Sequence, residues 1–273
     1  MKRKTWFWAL TPVAVALSLY GCGNGSDSDL AVDNNAQSCS VVSGTGSAVV
    51  VGSGLPGDPA APEAASGYRL GYKAKQSSNY MVVANTPLAT KAGCDVLKAG
   101  GTAVDAAVAV QAVLGLVEPQ SSTIAGSAFM MYYDAANKKV VAYDGRETAP
   151  AAATGYYLAR QDQSNASSPA PVPSARRSGR SIGVPGVMRM LDMAHKEHGK
   201  LAWAPLFDEG IRLASSGYKI PGRMGDAIRT NAANLQLDAN AVAAYFNADG
   251  TPKTTGTVTT NLPYAQSLRT LAT

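Results

Sequence analysis

The apolar and polar positions become readable as elements from about residue 80. Met81-Val82-Val83-Ala84 is a short apolar run suited to a buried strand. Asn85 or Thr86 can cap a helix that opens with Pro87, runs to about Ala99 and stops at Gly100-Gly101. Thr102 caps the next helix, with Asp105 three residues on as a variant of the capping box. That helix, Ala103 to Val117, is apolar almost all round and rich in alanine. Such a helix is buried, and small side chains let its neighbours approach closely. Its length suits a core helix better than a bilayer span.

Glu118 to Ser122 reads as a loop. Ala128 to Asp134 reads as a strand, Ala135 to Lys138 as a turn, and Lys139 to Tyr143 as the partner strand. The stretch "YDGRETAPAAAT" follows, with Arg146 and Glu147 side by side where little else is charged. Asp162 to Ser181 is a Ser/Pro/Ala-rich insertion carrying Arg176, Arg177 and Arg180. The pattern is then helical over Pro185–Gly199, Ala204–Ser216, Pro221–Ala233 and Ala239–Phe246. No internal repeat is visible.

Composition narrows the class. The chain has 273 residues, 46% apolar and 16% charged, which is globular and long enough for one large domain or two small ones. Its net charge is +5, but Lys2, Arg3 and Lys4 supply three of those charges in a segment without acids, so residues beyond 21 carry +2. A nucleic-acid-binding role then loses most of its electrostatic support.

The same segment reads as an export signal. A basic head precedes the uncharged, mostly apolar Thr5 to Tyr20, which is short for a span. Leu19-Tyr20-Gly21-Cys22 resembles a bacterial lipobox, which implies a signal peptide over 1–21 and a lipid on Cys22. Gly23, rather than an aspartate, favours the outer membrane by the same resemblance; ordinary secretion and an uncleaved anchor are the alternatives. Residues 22–79 are expected to be a tether and a poorly ordered N-terminal segment, with a short strand at Ser47–Val51. An oxidising compartment permits a Cys39–Cys94 disulfide. Cys94 falls inside a predicted helix, however, and a small buried thiol is the favoured expectation.

Several motifs fail on their context. Gly52-Ser53-Gly54-Leu55-Pro56-Gly57 matches GxGxxG, but Pro56 and Asp58-Pro59 prevent the helix that would face a pyrophosphate. His195 and His198 lie three apart without HExxH spacing or a third ligand, so they are expected at a solvated helix end. No GxSxG elbow is present. The Arg176–Arg180 cluster is expected to be a solvated loop rather than an anion site.

The segments "PLATKAGCDVLKAGGTAVDAAVAV", "LGLVEPQSS", "FMMYYDA" and "DGRETAP", and then "SIGVPGVMRMLDMAHKEHGKLAWAPLFDEGIRLASSGYKI", together closely resemble the gamma-glutamyltransferase (gamma-glutamyltranspeptidase) family. "NLPYAQSLRTLA" is similar to a later segment of that family. The resemblance implies an N-terminal-nucleophile-type α/β/β/α four-layer sandwich, here the front portion of the large subunit over residues 80–273, followed by helices. It implies acyl transfer from glutathione and other gamma-glutamyl compounds to water, an amino acid or a peptide, without metal or organic cofactor. The nucleophile would be a threonine freed by self-cleavage, whose own amine serves as base. Arg146 occupies the position that binds the substrate alpha-carboxylate, a task suited to a permanently charged guanidinium fork. Glu147 would orient Arg146 or contact the substrate amino group. Without the resemblance, an Arg-Glu pair that staples the end of a hairpin is the simpler account.

Two departures qualify the resemblance. The family's Thr-Thr-His-aromatic cleavage site is missing: Gly256 follows Thr254-Thr255, Asn261 follows Thr259-Thr260, and no histidine lies after His198. The catalytic nucleophile is therefore expected from a region outside this chain, as a small partner subunit, and the chain alone should be inactive. Strands from Ala128 to Tyr143 should then keep an uncovered apolar face. Second, Thr123 to Ala128 replaces a usually glycine-rich run, which suggests altered substrate preference. A related acylase acting on glutaryl side chains, a poly-gamma-glutamate hydrolase, and a non-catalytic outer-membrane lipoprotein are the alternatives.

Overall fold

The computed structural model describes Cys39 and residues 77–273. The predicted strand at 47–51, the GxGxxG match and Cys22 lie outside the described residues. From Pro87 on the chain carries seven α-helices, three short 3₁₀ helices and two small antiparallel sheets.

Helices α1 (Pro87–Lys98) and α2 (Ala103–Val117) form as their caps dictate. The Thr86 hydroxyl accepts from the amide of Ala89, and Thr102 and Asp105 make a reciprocal capping box. Gly100, at φ +87°, turns the chain between them. Ala109, Val113, Leu116 and Val117 of α2 share one core with Ala89 and Ala92 of α1, and the short side chains of α1 permit that approach. Val104, Val108 and Ala112 face the other way, into a second core with Leu191, Leu206, Phe207 and Leu268. The apolar-all-round pattern thus has a plain cause: α2 is buried from two sides.

Strands β1 (Phe129–Asp134) and β2 (Lys139–Asp144) pair in the register Phe129 to Asp144 through Asp134 to Lys139. Asp134 Oδ1 accepts from the amides of Ala136 and Asn137 and so closes the turn. Met130, Tyr132, Val141 and Tyr143 pack toward α3 (Val187–His198). The opposite face is bare: Phe129, Met131, Tyr133 and Val140 are between 61% and 69% exposed. The uncovered apolar face expected from the sequence is therefore present.

A 3₁₀ turn at Ala204–Phe207 leads into α4 (Asp208–Ser216), so the single helix expected over Ala204–Ser216 is two pieces. The two-residue strands β3 (Tyr218–Lys219) and β4 (Val258–Thr259) pair across α5 (Gly222–Leu235) and α6 (Ala239–Tyr245). Helix α7 (Leu262–Leu271) closes the core and was not expected. Its signals were local: Asn261 Oδ1 accepts from the amide of Tyr264, and Pro263 sits in the first turn. The Tyr264 hydroxyl donates to the Ala112 carbonyl at 2.9 Å, joining α7 to α2.

Two expectations are corrected. Met81–Ala84 runs without strand pairing among the described residues, and Val83 is 84% exposed. Cys39 and Cys94 form a disulfide with their Cα atoms 5.5 Å apart, so Cys94 is not a free buried thiol. The apolar burial expected of Cys94 is real, but a partner 55 residues away occupies it, which no local pattern reveals.

Candidate substrate-binding site

Arg146 and Glu147 stand where β2 ends. The Gly145 amide donates to the Ala128 carbonyl at 3.0 Å, extending the hairpin by one contact. The next amide, that of Arg146, donates to Asp144 Oδ1 at 2.8 Å, which turns the chain out of the sheet. Directly behind, the start of α3 crosses the hairpin exit backbone to backbone. A β-carbon at Gly186 would lie 2.1 Å from the Gly145 carbonyl oxygen, and one at Gly145 would lie 2.8 Å from Met190 Cβ. Gly126 fixes the same crossing, its carbonyl accepting from the amides of Gly186 and Val187 at 2.9 and 3.1 Å. Two other segments, around Gly126–Ala128 and Gly186–Met190, thus hold one short stretch of backbone.

The side chains differ in freedom. Arg146 is half exposed, and its Nη2 lies 3.4 Å from Glu147 Oε1. That contact is long and single, so the guanidinium retains its fork for another carboxylate. Glu147 is less exposed, and its Cβ and Cγ lie over Gly183, where a β-carbon would come within 2.6 and 2.3 Å of them. Its carboxyl is held below the usual range, first by the Ser127 hydroxyl, then by its own backbone amide and by the charge of Arg146. Ser127 was missed as a partner; the signal was its place in the run that departs from the glycine-rich pattern.

The other candidates fall elsewhere. His195 and His198 are not at a solvated helix end. His195 Nε2 lies 2.9 Å from the Leu201 carbonyl and 3.4 Å from the buried Asp105 carboxylate, while the ring meets Trp203 edge-on. His198 stacks on Tyr132 with centroids 4.1 Å apart. His195 packs because the residues after the helix fold back over it, and His198 because the hairpin lies against the helix end. Among the described residues no three His, Cys, Asp or Glu side chains gather as a metal site. The arginine cluster splits: Arg176 and Arg177 are exposed as expected, but Arg180 donates to the carbonyls of Arg160 and Gln161 at 2.5 and 2.7 Å and so holds the insertion together. A buried pair that sequence reading missed joins Glu118, fully buried, to Arg223 at 3.1 Å, 105 residues apart.

Helices back one face of the hairpin, and this mixed helix-and-strand fold matches solved structures of the N-terminal-nucleophile hydrolase class. The sequence profile of the gamma-glutamyltranspeptidase family matches residues 89–273, and the chain belongs to that family. It is 36% identical to glutathione hydrolase 3 of Arabidopsis thaliana over 198 residues, covering 72% of this chain and 29% of that protein. It is 36% identical to the glutathione hydrolase proenzyme of Bacillus subtilis over 175 residues, covering 63% of this chain and 28% of that protein. The crystal structure of Helicobacter pylori gamma-glutamyltranspeptidase superposes with a TM-score of 0.65 at 28% identity, covering 73% of this chain and 56% of that one. The chain thus spans under a third of the length of these curated relatives.

Proposed function

We propose that this chain contributes the carboxylate-binding part of a gamma-glutamyl hydrolase or transferase acting on glutathione and related gamma-glutamyl compounds. The observation that carries the proposal is Arg146: a half-exposed guanidinium, tied by one long contact, held at a backbone crossing that fixes its position. In this reading Arg146 pairs bidentately with the substrate alpha-carboxylate, and Glu147 orients it. The threonine nucleophile comes from a region outside these residues, a small catalytic subunit in a heterodimer formed by self-cleavage. The bare face of the hairpin supports that view, because a self-sufficient lipoprotein remnant would have no reason to keep it apolar.

The domain reading is part of the same proposal: a signal peptide over 1–21, a lipidated Cys22 that anchors the chain to the outer membrane, a tether over 22–79, and the family domain over 80–273. The Cys39–Cys94 disulfide supports export to an oxidising compartment. No described helix is long and apolar enough to cross a membrane.

The test is titration of the purified chain with glutathione, alongside hydrolysis of a gamma-glutamyl anilide. Saturable binding is expected, weakened at least about tenfold by Arg146→Ala and not restored by Arg146→Lys. Hydrolysis by the chain alone is expected to be nil. Binding indifferent to Arg146→Ala refutes the assignment of the site.

A further inference from the structure

A cavity of about 550 Å³ opens between α5, α6, the loop after α2 and the 3₁₀ turn Ala175–Arg177. Its floor is apolar: Met224 and Ile228 are almost fully buried, and Tyr245 lies beside them. Its mouth carries Arg176, Arg177 and the Asn234 carboxamide, and no lining residue is acidic. Among the described residues neither Arg176 nor Arg177 has an ion pair or a side-chain hydrogen bond, whereas Arg180 of the same cluster donates to the carbonyls of Tyr157, Arg160 and Gln161. Glu118, next in sequence to the lining residue Pro119, pairs through Oε2 with Arg223. Neither Arg146 nor Glu147 lines this cavity.

Two free guanidinium forks over an apolar floor are complementary to one ligand chemistry, a carboxylate joined to an apolar tail. The forks would pair with the carboxylate bidentately, and the tail would leave water for the floor. The geometry points to a second binding site on this protein, at Arg176 and Arg177, for a small apolar carboxylate such as an N-acylated amino acid or the end of a short peptide. The site needs no chemistry from the Arg146 region, so it stands or falls apart from the function proposed above.

The experiment titrates the purified chain with N-acetyl-L-leucine and, as a neutral twin, N-acetyl-L-leucinamide, by calorimetry. The acid should bind saturably and at least about tenfold more tightly than the amide. Replacing both arginines at the exposed mouth (Arg176→Ala with Arg177→Ala) should abolish that difference. Ala227→Trp, which fills the cavity from its helical wall, should abolish binding of the acid while far-UV dichroism stays unchanged. Equal affinity for acid and amide overturns the proposal, as does failure of the acid to saturate up to its solubility. Binding that survives both sets of variants also overturns it, because the probe would then sit on the bare face of the hairpin.

Discussion

Asp105 offers the sharpest test of how this fold is held. Its side chain is fully buried and serves two structures at once. It caps its own helix by accepting from the Thr102 amide at 2.7 Å. It also accepts from the amides of Lys200 and Leu201 at 3.1 and 3.2 Å, and so holds the turn that follows α3, 95 residues away. Replacing it with alanine leaves three amide donors without their anionic acceptor. Each such bond at full burial is worth about 1.5–3 kcal/mol, but water can reach the exposed Lys200 and the half-buried Thr102 and Leu201. A discount to about 1 kcal/mol each gives about 3 kcal/mol for Asp105→Ala. Thr102→Ala, which removes only the capping hydroxyl, should cost about 1 kcal/mol. Urea unfolding followed by far-UV dichroism measures both, and amide exchange reports the turn directly: Lys200 and Leu201 should lose protection in Asp105→Ala and keep it in Thr102→Ala. If the two variants are equally stable, or if exchange at Lys200 and Leu201 is unchanged, the carboxylate is only a helix cap and the reasoning fails.

Alkaline pH should unfold the protein in a window set by its tyrosines. Burial, followed by the hydrogen bond to Glu197, pushes the Tyr143 phenol up to about 12, and burial also pushes Tyr218 and Tyr264 up. An unfolded tyrosine ionises near pH 10, so the stability these groups contribute is intact below about pH 10 and is lost as pH rises toward 12. Unfolding midpoints at pH 9 and 11 should therefore differ, less so in Tyr143→Phe; equal midpoints would show that the phenols are not buried. Gly186→Ala drives a methyl into the Gly145 carbonyl at 2.1 Å and should cost about 3 kcal/mol or abolish folding, whereas Gly155→Ala, with open space around it, should be near neutral in thermal unfolding. The purified chain should bind a hydrophobic dye through the bare hairpin face, and Met131→Lys with Val140→Thr should remove most of that signal; dye binding unaltered by these changes would place the exposed apolar surface elsewhere.

The sequence by itself determined what local chemistry can determine. The bounds of α1 and α2, their caps and the hairpin were legible because each rests on residues within a few positions: Thr86 with Ala89, Thr102 with Asp105, Asp134 with Asn137. The place of Arg146 and Glu147 at the hairpin exit, and the bare strand face, followed from the same patterns together with the family resemblance. What only the tertiary structure decided were pairings across long separations. Cys94 meets Cys39, Glu118 meets Arg223, Asp105 holds the turn at Lys200, and the histidines are packed rather than solvated. Strands β3 and β4 are two residues each and exist only because they meet one another, and Arg176 and Arg177 line a cavity whose other walls come from three distant segments. A capping hydroxyl finds its amide one turn away, so composition and spacing expose it. A buried charge or thiol finds its partner through the whole fold, and no window of sequence contains both.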